Sequence, residues 1–472
     1  MRVVICSLLI LFSAGVIAQG TVAGGELRPV AEIIDEYVAE GLKSNLALRN
    51  GSLEVERNLA ALDEARARYF PELALAARDS RSHGGREIDL PLGTTLNPVY
   101  STLNQLLAQQ GRAAEFTQIA DQSIPFLLPR EQDTRITVRQ PLFAPAIPAA
   151  VRAQRALLEA SDFARLALAR QLKRDVTTGY LRWLQGMKTV AIVEASQSLL
   201  QENLRVSDSL FRNGKVTQDQ VLRARAELLA VEQQLREARN ACIQAQSYLN
   251  FLLNRDLATP LEQAAVDAEI ARTGVDLAQL RAAALAGRPE LNEVEREVRA
   301  SQEQVRASRA ALWPTLSLGV DAGTTGETYG FGSGFNYNTI SLLLNWRFYS
   351  GGGDQARVRE ARALARQAAI RRDELALQIQ LEVQQAVDRL TSSIDSLATA
   401  QARAVAARAG FRIASRKRDE GVINQVEFID ARTALTGAEL NLNLTRFDVL
   451  SSQAEVDHAT ANGRLPPAVA AL

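Results

Sequence analysis

ARARYFPELAL at residues 65–75 and ASRAALWPTLSL at 307–318 share one pattern: a helix-forming run, an aromatic residue, a proline, then alternating leucines. The proline cannot continue a helix, and it pushes the residue before it toward extended backbone. Beyond Pro71, Leu73 and Leu75 alternate with Glu72 and Ala74; beyond Pro314, Leu316, Leu318 and Val320 alternate with Thr315, Ser317 and Gly319. Each stretch therefore changes from helical to strand periodicity at its proline.

The likeness extends outward. Residues 41–75 align without a gap on 284–318, pairing Leu48 with Leu291, Val55 with Val298 and Ala67 with Ala310. At a second offset, Val151-Arg152 matches Val358-Arg359, Gly214 matches Gly421, and Ala224-Arg225 matches Ala431-Arg432. The reading is an internal duplication, 30–255 and 277–460, joined by a linker at 256–276 and followed by a tail at 461–472. Each copy reads as helix, strand, loop, strand, long helix, glycine turn, helix. The first helices are expected at 30–69 and 277–312. Strand pairs are expected at about 70–78 with 133–143, and 314–322 with 338–348. The loop of the first pair, 79–133, is long; Gly84, Gly85, Pro91, Pro98, Pro125 and Pro129 mark it as irregular, with a short helix at about 99–109.

The long helices are expected at 149–212 and 356–419. In the first, Leu172, Val176, Tyr180, Trp183, Met187, Val190 and Val193 recur in steps of four, four, three, four, three and three. That is the coiled-coil period. Some 65 residues of helix span about 100 Å, longer than a compact domain needs. Glycine turns at 214 and 421 lead into shorter helices at 217–254 and 424–460. These can match the long ones only by stacking end to end with 277–312 and 30–69.

The chain has 472 residues, a formal net charge of zero, 47% hydrophobic residues and only 5% aromatics. No basic footprint asks for nucleic acid. Residues 1–18 read as a secretory signal, with Arg2 before an apolar core and small residues suiting cleavage after Ala18 or Ala23; a membrane anchor is the alternative to this short run. Cys6 and Cys242 are the two cysteines, and removal of the signal leaves one thiol. After residue 18 no apolar run approaches the 20 residues of a spanning helix. An exported chain of this kind can then enter a membrane only as a closed β-barrel. Phe70, Phe143, Trp313, Trp346, Phe348 and Tyr349 cluster at the strand ends, as the aromatic girdle of such a barrel would; a soluble β-subdomain with one wet face is the alternative.

With RQPLF at 139–143, NWRFYSGGG at 345–353, FRNGKVTQDQVLRARAEL at 211–228 and KRDEGVINQVEFIDARTAL at 417–435, the sequence resembles the TolC-like outer membrane efflux proteins over nearly all of 30–460. The resemblance implies a mainly α protein with a transmembrane β-barrel. It implies a homotrimer, each protomer giving four strands to a 12-strand barrel and its duplicated helical hairpins to a periplasmic α-barrel tunnel. The partners it implies are outer-membrane lipid, a periplasmic adaptor (membrane fusion) protein and an inner-membrane transporter.

The sites follow from the same resemblance. Adaptor docking falls on the tips Gly214, Lys215, Val216, Thr217 and Gly421, Val422, Ile423, Asn424, whose glycines are in any case turn residues. Acidic rings at the pore entrance fall on Glu427 and Asp430, which without the resemblance read as a solvated helix face. The sequence departs from the family pattern at Gln220 and Ile423, where an acid and a base are usual. No enzyme site, cofactor or metal is expected: the histidines are His83 and His458 alone, and no phosphate loop or nucleophile motif occurs. The function implied is passive conduction in a tripartite efflux pump. The exit duct of type I protein secretion shares this architecture, and a periplasmic coiled-coil scaffold without a barrel is the alternative of another class.

Overall fold

The computed structural model describes residues 27–266, 276–330, 332–463 and 465. The expected signal at 1–18 lies outside the described residues, as do 267–275 of the linker and most of the tail. Among the described residues the elements follow in the order α1 (Val30–Ser44), α2 (Leu46–Ala67), β1 (Glu72–Arg81), β2 (Glu87–Leu90), α3 (Leu92–Gln109), β3 (Gln122–Pro125), β4 (Arg130–Phe143), α4 (Ala146–Arg212) and α5 (Gln218–Leu252). After these come α6 (Leu277–Gly287), α7 (Pro289–Ala310), β5 (Thr315–Gly326), β6 (Asn336–Asn345), α8 (Gly353–Asp419) and α9 (Gln425–Ala459).

The helices dominate. α4 and α8 have 67 residues each, or about 100 Å of rise. α5 and α9 have 35 residues each, and α2 and α7 have 22. α4 packs on both α5 and α7, and α8 packs on α9, α7 and α6. The buried positions of α4 continue the heptad stripe through Leu172, Val176, Tyr180, Trp183, Val193, Leu200, Asn203 and Ser207. The described core is strung out along these helices as separate patches. Val193, Leu200, Val231 and Leu235 lie toward the tips, Tyr180, Leu249 and Leu253 lie at mid-height, and Leu62, Ala65 and Val151 lie near the strands. A string of patches is what a wall one helix deep produces.

Two helices differ from the sequence expectation. The run 30–69 divides at Asn45, which is extended (φ −64°, ψ 127°) and caps α2 by accepting from Leu48 N at 3.1 Å. Its Nδ2 also donates to Leu252 O at 2.8 Å, tying the break to the end of α5. The run 277–312 divides at Arg288, because Pro289 at the start of α7 disfavours helical backbone before it. Buried Arg288 is held by Glu290 and Glu382.

The strands form one four-stranded antiparallel sheet in the order β1-β4-β5-β6. β1 reaches Arg81 and β4 starts at Arg130, so the first pair is longer than expected and the insert shorter. β6 stops at Asn345, leaving Trp346, Phe348 and Tyr349 in the connector to α8. The insert also departs from the expectation of a loop with a short helix at about 99–109. It contains a second, two-stranded sheet, β2 with β3, and α3 begins at Leu92 and runs through Pro98. Pro98 costs that helix one backbone hydrogen bond without ending it.

Candidate functional site

The sheet sorts its side chains by face. Across the ladder Leu73, Val138, Val320 and Ile340 form one row, and Leu75, Ile136 and Ala322 the next. This face is open at its outer strands, where Leu73 is 69% exposed, Leu75 73%, Ile340 75% and Leu344 67%, while Val138, Leu318 and Val320 between them are half-buried. The opposite face carries rows of Glu72, Arg139, Gly319 and Ser341, then Ala74, Thr137, Asp321 and Thr339. Its polar groups bond to one another, Thr137 Oγ1 donating to Asp321 Oδ1 at 2.6 Å and Tyr337 OH to Asp133 Oδ1 at 3.2 Å. Sequence reading placed Asp321 among the polar residues between the apolar ones of its strand but did not pick out Asp133 or Tyr337, whose signal was the same intervening position. Among the described residues, both outer strands, β1 and β6, leave one edge without a partner.

The six aromatics gather where strands meet helices. Phe70 and Trp313 precede β1 and β5, Phe143 ends β4, and Trp346, Phe348 and Tyr349 follow β6. All are exposed. Trp346 stacks at a tilt on Phe348, ring centroids 4.5 Å apart, and its Nε1 donates to Leu312 O at 3.3 Å. They therefore form a band at one end of the sheet, on its helical side.

At the other end of the long helices lie the two tips. Gly214 (φ +69°) and Gly421 (φ +73°) are left-handed, as the turn after a helix requires. Lys215 N donates to Leu210 O at 2.9 Å and Val422 N to Lys417 O at 2.7 Å, closing the last helical turns. Lys215, Thr217 and Asn424 are exposed, Val422 is 66% exposed, and Val216 and Ile423 are half-buried.

Just past the second tip, Asn424 caps α9 by accepting from Glu427 N at 2.9 Å, while its Nδ2 donates to Glu427 Oε1 at 3.1 Å. Glu427 and Asp430 are both exposed, and Phe428, Ile429 and Arg432 on the other side of the helix are buried. At 100° per residue the two acids share one face, turned away from the packed one. Arg432, which sequence reading passed over, donates from Nη2 to Ser196 O on α4 at 2.9 Å. Burial lowers its pKa, and that of Arg418, whose guanidinium sits 4.0 Å over the Phe428 ring. These contacts lock the second tip to its own hairpin and to α4.

Away from the tips, burial followed by the neighbouring Glu297 and Glu290 pushes the Glu293 carboxyl up to about 7. Burial also opposes ionisation of Glu290, but the hydrogen bonds from Arg288 override it and its pKa is lowered. Among the described residues, no three His, Cys, Asp or Glu side chains are grouped as metal ligands.

Residues 280–462 match the model of the family described as outer membrane efflux protein. Over this stretch the chain is similar to the outer membrane efflux protein family. The solvent efflux pump outer membrane protein SrpC of Pseudomonas putida is 23% identical over 313 residues. That match covers 64% of this chain and 65% of the relative. The fold extends the likeness over the whole chain. The Campylobacter jejuni CmeC outer membrane channel superposes with a TM-score of 0.76 at 16% identity, over 96% of this chain and 93% of that one. The open state of the Neisseria gonorrhoeae MtrE outer membrane channel gives 0.70 at 16%, over 97% and 98%. SrpC is thus an outer membrane protein of a solvent efflux pump, and CmeC and MtrE are outer membrane channels. The chain is therefore mainly helical with the fold of these outer membrane channels.

Proposed function

We propose that this chain is the outer-membrane duct of a tripartite pump: a homotrimer that passively conducts substrates received from an inner-membrane transporter through a periplasmic adaptor. The observation that carries the reading is the four-stranded sheet, apolar on one face, polar on the other, and open at both edges. A sheet edge inside a bilayer leaves backbone groups that lipid cannot satisfy, so the sheet must close. Four strands are too few to close alone; three copies supply 12. The leucine rows then face lipid, and the lumen is lined by Arg135, Arg139, Asp321 and Tyr337. The matched lengths of α4 with α8 and α5 with α9 support the duplicated hairpins of a tunnel wall. A periplasmic scaffold would leave the exposed leucine rows without a partner. We assign adaptor docking to the two tips and the entrance rings to Glu427 and Asp430.

The deciding experiment is membrane fractionation, detergent extraction and mass determination of the intact particle. The expected result is an outer-membrane particle of roughly 150 kDa, three copies under closed symmetry. A soluble periplasmic monomer or dimer would remove the barrel and leave the scaffold reading.

A further inference from the structure

Beyond Arg81 and Arg130 the β1–β4 hairpin carries a built extension. Ser82 N donates to Pro129 O at 3.1 Å, the chain bends at Gly84 and Gly85 (φ +76° and +119°), and Phe126 N donates to Arg86 O at 2.9 Å. The β2–β3 ladder follows, from Glu87 opposite Pro125 to Leu90 opposite Gln122. It presents α3, which is clamped to the returning segment 112–121.

The clamp is specific. Asn97 donates from Nδ2 to Ile119 O and accepts from Ile119 N, both at 2.8 Å; Asn104 does the same with Phe116, at 2.7 and 3.0 Å. Each amide thus stands in for a strand neighbour. Tyr100 lies against Phe116 with ring centroids 5.4 Å apart. Asp121 accepts from Thr94 N at 2.8 Å and from Thr94 Oγ1 at 2.6 Å, fixing the start of the helix.

One face of α3 is therefore occupied. The adjoining face carries Leu92, Leu96, Val99, Leu103 and Leu106, in steps of four, three, four and three. That is the seam of a coiled coil. Leu92, Val99, Leu103 and Leu106 are exposed and Leu96 is half-buried.

We propose that the α3 helices of three copies pack on one another through this seam and close the outer mouth of the duct. The proposal rests on the trimeric reading above. Two observations choose a second copy as the occupant. First, α3 has no Asp, Glu, Lys or Arg in its 18 residues, in a chain that is 23% charged. Identical helices around a symmetry axis bring each residue near its own copies, so any charge there meets a like charge. A helix built to lie on an anionic lipid surface carries Lys or Arg on its polar face and often Trp on the other, and α3 has none of the three. Second, the extension grows from β1, the edge strand at which copies must join. The seam thus begins beside the joint between protomers.

The test is oxidative cross-linking in outer membranes. Val99→Cys and Leu103→Cys are placed singly in a Cys242→Ala background, with Ser101→Cys, on the opposite side of α3, as the control. Copper phenanthroline should give a band of twice the chain mass at both seam positions, at least tenfold above the control. The particle mass is measured on the same samples. Trimers that cross-link no better at the seam than at Ser101 overturn the α3 contact and leave the duct intact. Seam cysteines labelled in intact trimers by a lipid-anchored maleimide overturn it too, in favour of a lipid surface. Particles that are not trimers overturn the reading on which the contact rests. A second readout does not depend on cysteine. Leu103→Glu trimers should show a several-fold rise in single-channel conductance in planar bilayers and Gln105→Glu trimers none; equal conductance in both rejects the closure.

Discussion

Glu427 and Asp430 sit three residues apart on one exposed helix face, yet their surroundings differ. Glu427 Oε1 accepts from Asn424 Nδ2, and its backbone N–H is capped by the same side chain. Among the described residues Asp430 has no such bond. A carboxylate tied into a cap is held against the helix end, whereas an untied one can turn away from it. If threefold symmetry makes both into rings, Asp430 should carry more of the cation preference. The measurement is the reversal potential across a salt gradient in planar bilayers, at low ionic strength, because the screening length is about 10 Å at 0.1 M. Asp430→Asn should reduce cation preference more than Glu427→Gln, and the double variant should abolish most of it. An unchanged potential in the double variant would reject the entrance assignment. The resemblance alone singled out these two acids; their unequal bonding was not readable, because a cap depends on backbone geometry that spacing does not specify.

The α4–α5 hairpin depends on close approach between its two helices. A Cβ added at Gly186 would lie 3.3 Å from Cys242 Cα and 3.4 Å from its Cβ. Cys242 is itself buried and serves as a small apolar group. Alanine at 186 gains about 1 kcal/mol of helix propensity, which offsets the tight contact, so Gly186→Ala should be close to neutral. Leucine cannot fit without separating the helices and should cost about 1–3 kcal/mol. Thermal unfolding of the detergent-solubilised particle should show a lower Tm for Gly186→Leu alone; equal Tm values would show that the helices are not pressed together there. The stripe that pairs these helices was legible, since a 3.5-residue apolar period sustained over many turns keeps one seam facing a partner helix. The breaks at Asn45 and Arg288 were harder to see. A single Asn inside a strong helical pattern reads as tolerated, and its contact with Leu252 makes that break favourable; at Arg288 the following Pro289 sets the break, and Glu290 and Glu382 hold the residue in place. α3 was hidden in the opposite way: Pro91 and Pro98 read as loop residues, while the bonds that hold this helix come from Asn97 and Asn104 to the returning segment.

At the scale of the whole molecule, the chain separates its tasks by distance. The sheet and its insert lie at one end of helices about 100 Å long, and the tips lie at the other. Substitutions at the tips should therefore leave the sheet, and the proposed assembly through it, untouched. The tip turns carry apolar residues that a simple turn does not need: Val422 is largely exposed, and Val216 and Ile423 are half-buried. On the proposed docking, these are the side chains that an adaptor would cover. Charged replacements, Val216→Glu with Ile423→Glu, place carboxylates where an adaptor would bury methyl groups, and each desolvated charge then costs several kcal/mol. The two glycines, which the turns require at positive φ, stay in place. The double variant should form particles of native mass with native conductance in planar bilayers, and cells carrying it should lose export. Native export would show that the adaptor binds elsewhere along the helices. Loss of the particle itself would show that the tips serve folding, through the contacts of Arg418 with Phe428 and of Arg432 with Ser196 that lie next to them.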